Sequence, residues 1–226
     1  MPPAVRAHGT TDTAGKKIPL VEQAYASIKH RIVTTAYPPG ANLNEIKISE
    51  ELGIGRTPVH HALHRLAQEA LVDIQPRKGV RVRPVFHDEI AELIEARLVI
   101  EPYCAAKAAE RVTEEQLERP KQILRQAEAE LEEGARTEVL MQLDIAFHSL
   151  TNRIAGNRVL AEELDQFQDR SARFWFLSLS DATQAKRVIE EHKVILRALG
   201  ARDPDAAREA TEAHIKSFRR TILKVI

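Results

Sequence analysis

The run Leu52-Gly53-Ile54-Gly55-Arg56-Thr57-Pro58-Val59-His60-His61-Ala62-Leu63-His64-Arg65-Leu66 decides the fold. It reads as the end of one short helix, a tight turn and the start of a second helix. Leu43, Ile46, Ile48 and Leu52 recur at helical rather than alternating spacing before the turn. Gly53 suits the left-handed residue that closes a helix. Thr57 suits an N-cap, and Pro58 the first helical position, where a missing N–H costs nothing. Val59, Leu63 and Leu66 make the buried stripe of the second helix, and Arg56, His60, His61, His64 and Arg65 its polar face. Two short helices about a glycine turn, the second one basic, describe a helix-turn-helix. An ordinary helical corner inside a core would have the same geometry.

Working outward, the flanks favour the DNA-binding reading. Leu71 to Ile74 predicts a strand, Gln75-Pro76-Arg77-Lys78-Gly79 a basic turn, and Val80 to Arg83 an alternating strand. That is a β-wing with Arg77 and Lys78 at its tip, beside a glycine that lets backbone approach a phosphate. Upstream, Val21, Ala24, Tyr25, Ile28 and Ile32 predict a helix to about Thr35, and Pro38-Pro39-Gly40 breaks the chain.

From about Val21 to Val85 the sequence resembles the winged helix-turn-helix of the GntR family of bacterial transcription regulators. The resemblance rests on Tyr37-Pro38-Pro39-Gly40, Leu43 with Glu45, Ile48-Ser49, Leu52-Gly53, Arg56-Thr57-Pro58-Val59, Ala62-Leu63, Leu66 and Gly79. It implies double-stranded DNA as partner, with Arg56, Thr57, His60 and Arg65 meeting bases or phosphates and Arg77, Lys78 and Gly79 meeting the minor groove or backbone. The family usually carries serine where Gly55 stands and arginine where His60 stands. Histidine is shorter and mostly neutral at pH 7, which implies a different operator, weaker binding or a pH-sensitive grip.

A chain of 226 residues has room for two cores. It divides into an arm (1–17), a head (18–84) and a body (85–226). The arm is polar and lacks the apolar stretch of a signal peptide, so it reads as disordered. No apolar run approaches the length of a membrane span. The one cysteine, Cys104, excludes an intrachain disulfide and fits a reducing cytoplasm. Set among alanines, it reads as a small buried thiol. The formal net charge of zero hides an asymmetry: residues 1–84 hold 12 Lys and Arg against 7 Asp and Glu. A positive head on a negative body fits one half meeting phosphate.

The body shows no strand pattern. Periodicity predicts six helices, over 88–110, 113–133, 137–154, 157–179, 182–199 and 203–226. Thr113 with Gln116 reads as a capping box, Asp203-Pro204 as a helix start, and Pro102 as an interruption inside the first helix. The fold class is therefore mainly α, a winged helix-turn-helix followed by an all-α bundle of six to seven helices. Such bundles build sites from inward-facing side chains on neighbouring helices.

Asp144 and His148 lie one turn apart on one face, bordered by Leu140, Leu143 and Phe147. His192 and His214 sit at the edges of two other apolar stripes. Three imidazoles and a carboxylate suit a divalent ion such as zinc, nickel or manganese. Singly, each histidine is as readily a satisfied core residue, because only the Asp144/His148 pair has fixed relative geometry.

Residues from about 88 to 222 resemble the FCD effector domain of the FadR subfamily. The marks are Glu95, Arg97 and Glu101, Asp144 with Phe147-His148, Ala155-Gly156-Asn157, Glu191-His192 with Ile195, and Asp203, Ala206-Ala207 and His214. The resemblance implies a metal held by Asp144, His148, His192 and His214, and a small organic acid bound over it. It points to Arg97 as a second anchor for the acid's carboxylate, against the alternative of an ion pair with Glu101 or Glu95. The expected protein is a cytoplasmic, homodimeric, effector-controlled repressor or activator on a pseudo-palindromic operator. A metal-dependent enzyme and a metal-free regulator with an apolar effector are the alternatives. The first lacks a general base beside the cluster and leaves the wing unexplained.

Overall fold

The computed structural model describes residues 18–77, 79–84, 86–134, 136–178 and 182–222. The expected arm, Lys78 and Val85 lie outside them. Internal contacts divide the chain into two units, Met1–Val85 and Phe86–Ile226.

The first unit runs α1 (Leu20–Val33), β1 (Asn42–Leu43), α2 (Glu45–Leu52), α3 (Arg56–Gln68), β2 (Val72–Gln75) and β3 (Gly79–Val82). The strands form one antiparallel sheet in the order β1-β3-β2, with Leu43 opposite Val80 and Val72 opposite Val82. Ala24, Ile28 and Ile32 of α1 pack with Val59, Leu63 and Leu66 of α3 in the core. Each of the larger residues contributes roughly 1.5–3 kcal/mol by leaving water.

Three local readings change. Leu43 belongs to β1 rather than to α2, because Asn44 caps α2 by accepting from the N–H groups of Ile46 and Lys47. Ile46 then turns to solvent. Thr57 is not the N-cap of α3. That position falls to Gly55, whose carbonyl accepts from the N–H of Val59, and the helix starts at Arg56. Pro58 still sits in the first turn, where its missing N–H has no intrahelical partner to lose. Gly53 does close α2, at φ +63°.

The second unit is an all-α bundle: α4 (His87–Arg111), α5 (Glu114–Glu132), α6 (Thr137–Ile154), α7 (Arg158–Ser178), α8 (Ala182–Gly200) and α9 (Pro204–Ile222). The capping box at Thr113 and Gln116 forms in both directions. Asp203 caps α9 through the N–H groups of Asp205 and Ala206. The helix α4 continues through Pro102, and α5 contains a second internal proline, Pro120, which the periodicity did not single out. The helix α4 packs against α6, α7, α8 and, most extensively, α9. Its Cys104 is buried, and burial followed by the nearby Glu101 charge pushes the thiol up to about 11.

Candidate functional site

The inward faces of α6, α8 and α9 meet at three histidines. Asp144 and His148 project from α6 one turn apart, His192 from α8 and His214 from α9, all buried. One ring nitrogen from each histidine lies within 4.8 Å of the others. The Nε2 atoms of His148 and His192 face each other at 3.1 Å. Two nitrogens held about 2.0–2.1 Å from one tetrahedral ion would lie roughly 3.3 Å apart, so this spacing suits a shared ion. Asp144 Oδ1 is 3.5 Å from His192 Nε2.

Buried partners orient each donor. Gln168 Nε2 donates to Asp144 Oδ2 at 3.1 Å, while Asp144 Oδ1 is buried with no hydrogen-bond donor. An orphaned carboxylate oxygen aimed at imidazole nitrogens calls for a cation. Glu191 Oε2 lies 2.8 Å from His214 Nδ1. A carboxylate accepts, so Nδ1 carries the proton and Nε2 keeps its lone pair. Phe147 stacks on the His192 ring at 4.4 Å between centroids and fixes its plane.

The electrostatics favour coordination over protonation. Burial, followed by the charges of neighbouring histidines and Arg97, holds His148 and His192 well below the ordinary imidazole value. Both are therefore neutral at pH 7. Burial raises Asp144 to about 6, against the opposing pull of His214 and Arg97. Burial also raises Glu191, but hydrogen bonds from His214 and Ser217 outweigh it and leave its carboxyl below the usual range.

Two cavities flank the cluster. The one on the Asp144 and His192 side is apolar, walled by Leu124, Leu143, Trp175, Val188 and Ile189. The one on the His148 side is mixed, with Ile195 and Leu199 beside Glu101, Asn152 and Thr211, whose hydroxyl is buried without a partner. Arg97 is fully buried, but its Nε and Nη2 donate to Glu101 and its Nη1 to Ser171. Its fork is thus engaged in the ion pair that competed with the anchor role. Glu95 stays exposed.

In the first unit, Arg56, Thr57, His60, His61 and His64 all stand exposed on α3. Arg65 is drawn back onto its own unit: it donates to Glu22 at 3.0 Å and lies 3.7 Å over the Tyr25 ring. At the wing turn Arg77 is exposed with φ +65°, and Gly79 has φ +91°. Added Cβ atoms would have room at Gly79, so the backbone angle is what demands glycine there.

Comparison with known proteins fixes the family. The sequence matches the bacterial regulatory proteins of the gntR family over residues 20–82 and the FCD domain over residues 92–217. The chain belongs to the GntR family. The HTH-type transcriptional repressor RspR of Escherichia coli (strain K12) is 26% identical over 207 residues, covering 92% of this chain and 90% of RspR. The Nta operon transcriptional regulator of Aminobacter aminovorans is 26% identical over 196 residues, covering 86% of this chain and 90% of that protein. Among solved structures, E. coli McbR/YncC superposes with a TM-score of 0.83 at 22% identity, covering 92% of this chain and 98% of McbR.

This GntR regulator thus pairs a DNA-binding helix-turn-helix with an FCD effector domain, and its relatives are transcriptional regulators rather than enzymes. No described helix is long and apolar enough to cross a membrane. Its buried donor set fits a divalent transition metal, since three imidazoles and an orphaned carboxylate oxygen converge there. Sequence reasoning missed the partners that orient this set. Gln168 carried no signal. Glu191 stood beside His192, yet its side chain serves His214, a residue on another helix. Replacing Glu191 by glutamine is expected to lower metal affinity about 10- to 100-fold, measured by competition with a chromophoric chelator. Unchanged affinity would mean that packing alone orients His214.

Proposed function

We propose that this regulator changes its operator affinity when a small organic acid binds at a metal held by Asp144, His148, His192 and His214. The observation that carries the proposal is the buried Asp144 Oδ1, left without a hydrogen-bond donor while three imidazoles converge beside it. A divalent ion supplies an electrophilic coordination position for a carboxylate. The protein's own residues do the rest. Gln168 and Glu191 orient the donors. The apolar cavity walled by Leu143, Trp175 and Ile189 holds only about 20 Å³, so it must widen to take the acid's carbon skeleton. Arg97 shapes the site through its pair with Glu101 rather than by gripping the ligand.

On DNA, Arg56, Thr57 and His60 face the operator from α3, while Arg77 and Gly79 approach the backbone from the wing; Lys78, expected to join them, lies outside the described residues. Arg65 braces α3 against α1 through Glu22 and Tyr25. A homodimer would set two such heads on the half-sites of a pseudo-palindrome. The acid switches the promoter only if it prefers one dimer state over the other.

The test has two readings on the full-length protein. After exposure to zinc, nickel or manganese and dialysis, elemental analysis should find about one tightly held ion per chain. Duplexes selected from a random pool should then lose or gain affinity when small carboxylates are added. A protein that stays metal-free under all three ions would return the histidines to the core and favour a metal-free, apolar effector in the same cleft.

A further inference from the structure

The exposed face of α3 carries a histidine array that the effector site does not use. His60 and His64 are one turn apart, so their side chains rise from the same face. Their rings meet edge to face at 4.4 Å between centroids. His61 points elsewhere, its ring 6.1 Å from that of His60. From α2, Glu45 Oε1 reaches His60 Nδ1 at 3.0 Å. A carboxylate there can accept a hydrogen bond from Nδ1–H and leave Nε2 as the donor atom for a metal, the arrangement Glu191 and His214 share in the bundle. Two histidines at this spacing on one helix face are a recognised chelate for transition metals. The His60 side chain is 50% exposed, so an ion can reach it from solvent.

We propose that His60 and His64, with Glu45 behind His60, form a second divalent-metal site on the DNA-reading helix, and that zinc or nickel bound there tightens the grip on DNA. Two imidazoles fill half of a tetrahedral shell, and the open positions accept water or a phosphate oxygen. A bound dication adds positive charge to this face of α3. DNA affinity is dominated by neutralised phosphate charge, so occupancy strengthens binding. The surrounding charges are Arg56, one turn before His60 and exposed, and Glu45, which offsets it.

The test titrates Ni²⁺ into the full-length protein and into His60→Gln/His64→Gln. Glutamine favours helix at least as well as histidine and both positions are exposed, so the fold is retained. The double variant should bind one ion fewer per chain than wild type, and Glu45→Gln should bind the same ion about 10- to 100-fold more weakly. Ni²⁺ should raise wild-type affinity for a mixed-sequence duplex on the order of tenfold and leave the double variant unmoved. Equal ion numbers in the two proteins overturn the proposal. So does binding with no change in DNA affinity, or a DNA effect that survives in the double variant. The bundle site is scored separately: if it alone fails, wild type binds a single ion that the double variant loses.

Discussion

Replacing Arg97 by methionine should lower the stability of the bundle by about 3–5 kcal/mol, because it strands a buried carboxylate. Arg97 and Glu101 are one turn apart on α4, 1% and 3% exposed, and the pair is closed by two hydrogen bonds. Glu101 would then have to take up a proton or remain charged and buried, with only the small cavity it lines to admit a water. The guanidinium also lies 5.1 Å over the Phe218 ring, a contact methionine keeps only in part. The control is Arg97→Met with Glu101→Leu. Removing both charges leaves no orphaned charge, only the buried Ser171 hydroxyl without its donor, so most of the lost stability should return. Urea unfolding followed by far-UV circular dichroism measures both. A loss under roughly 1 kcal/mol in the single variant would show that Glu101 has another route to satisfaction. If Arg97 instead holds the effector's carboxylate, the double variant would regain stability yet lose the response to the acid.

His192→Ala should weaken the metal binding proposed for the bundle about a hundredfold. Apparent binding energies of about 10–16 kcal/mol for a four-ligand zinc site, shared evenly, assign roughly 3 kcal/mol to each donor, or about a hundredfold in affinity. His192 contributes more than a donor atom. Its nitrogen faces both His148 Nε2 and Asp144 Oδ1, and its ring covers Phe147. Wild type with metal at 1,000 times its dissociation constant should gain about 4 kcal/mol against unfolding. The variant, binding about a hundredfold more weakly, should gain only about 1.4 kcal/mol at the same concentration. Equal stabilisation of both proteins would remove His192 from the ligand set and place the ion elsewhere. His192→Gln, which keeps more of the side-chain volume, separates loss of the donor from loss of packing.

Much of this architecture could be read before any coordinates, where the signal was local. Gly53 marked the turn, the Val59-Leu63-Leu66 stripe marked the buried face of α3, and the periodicity of the body placed six helices within a few residues of their ends. Thr113 and Asp203 announced their caps because capping needs partners only two or three residues away. Failures came where structure was too short or partners too distant. The two-residue β1 offers no alternation to detect. Thr57 resembled a cap because nothing local distinguished it from Gly55. In the site, the shared face of Asp144 and His148 followed from spacing, while His192 and His214 joined them only through family resemblance. Gln168, Thr211 and the reach of Glu191 to His214 were illegible, since each depends on how separate helices dock. The Arg97–Glu101 pair lay one turn apart and was visible as an alternative. Its burial, which makes it structural, was not.

Cys104 has a practical consequence. Held inside α4 with its thiol pushed up to about 11, it is almost wholly unionised at neutral pH and shielded from reagents. The native protein therefore presents a chemically silent background for thiol labelling. A cysteine introduced at an exposed position such as Thr57 would take a spin label or fluorophore selectively, with Cys104 left in place. In the proposed homodimer, distances between such probes would report the separation of the heads directly, with and without metal or acid, and so give the proposed switch a length scale.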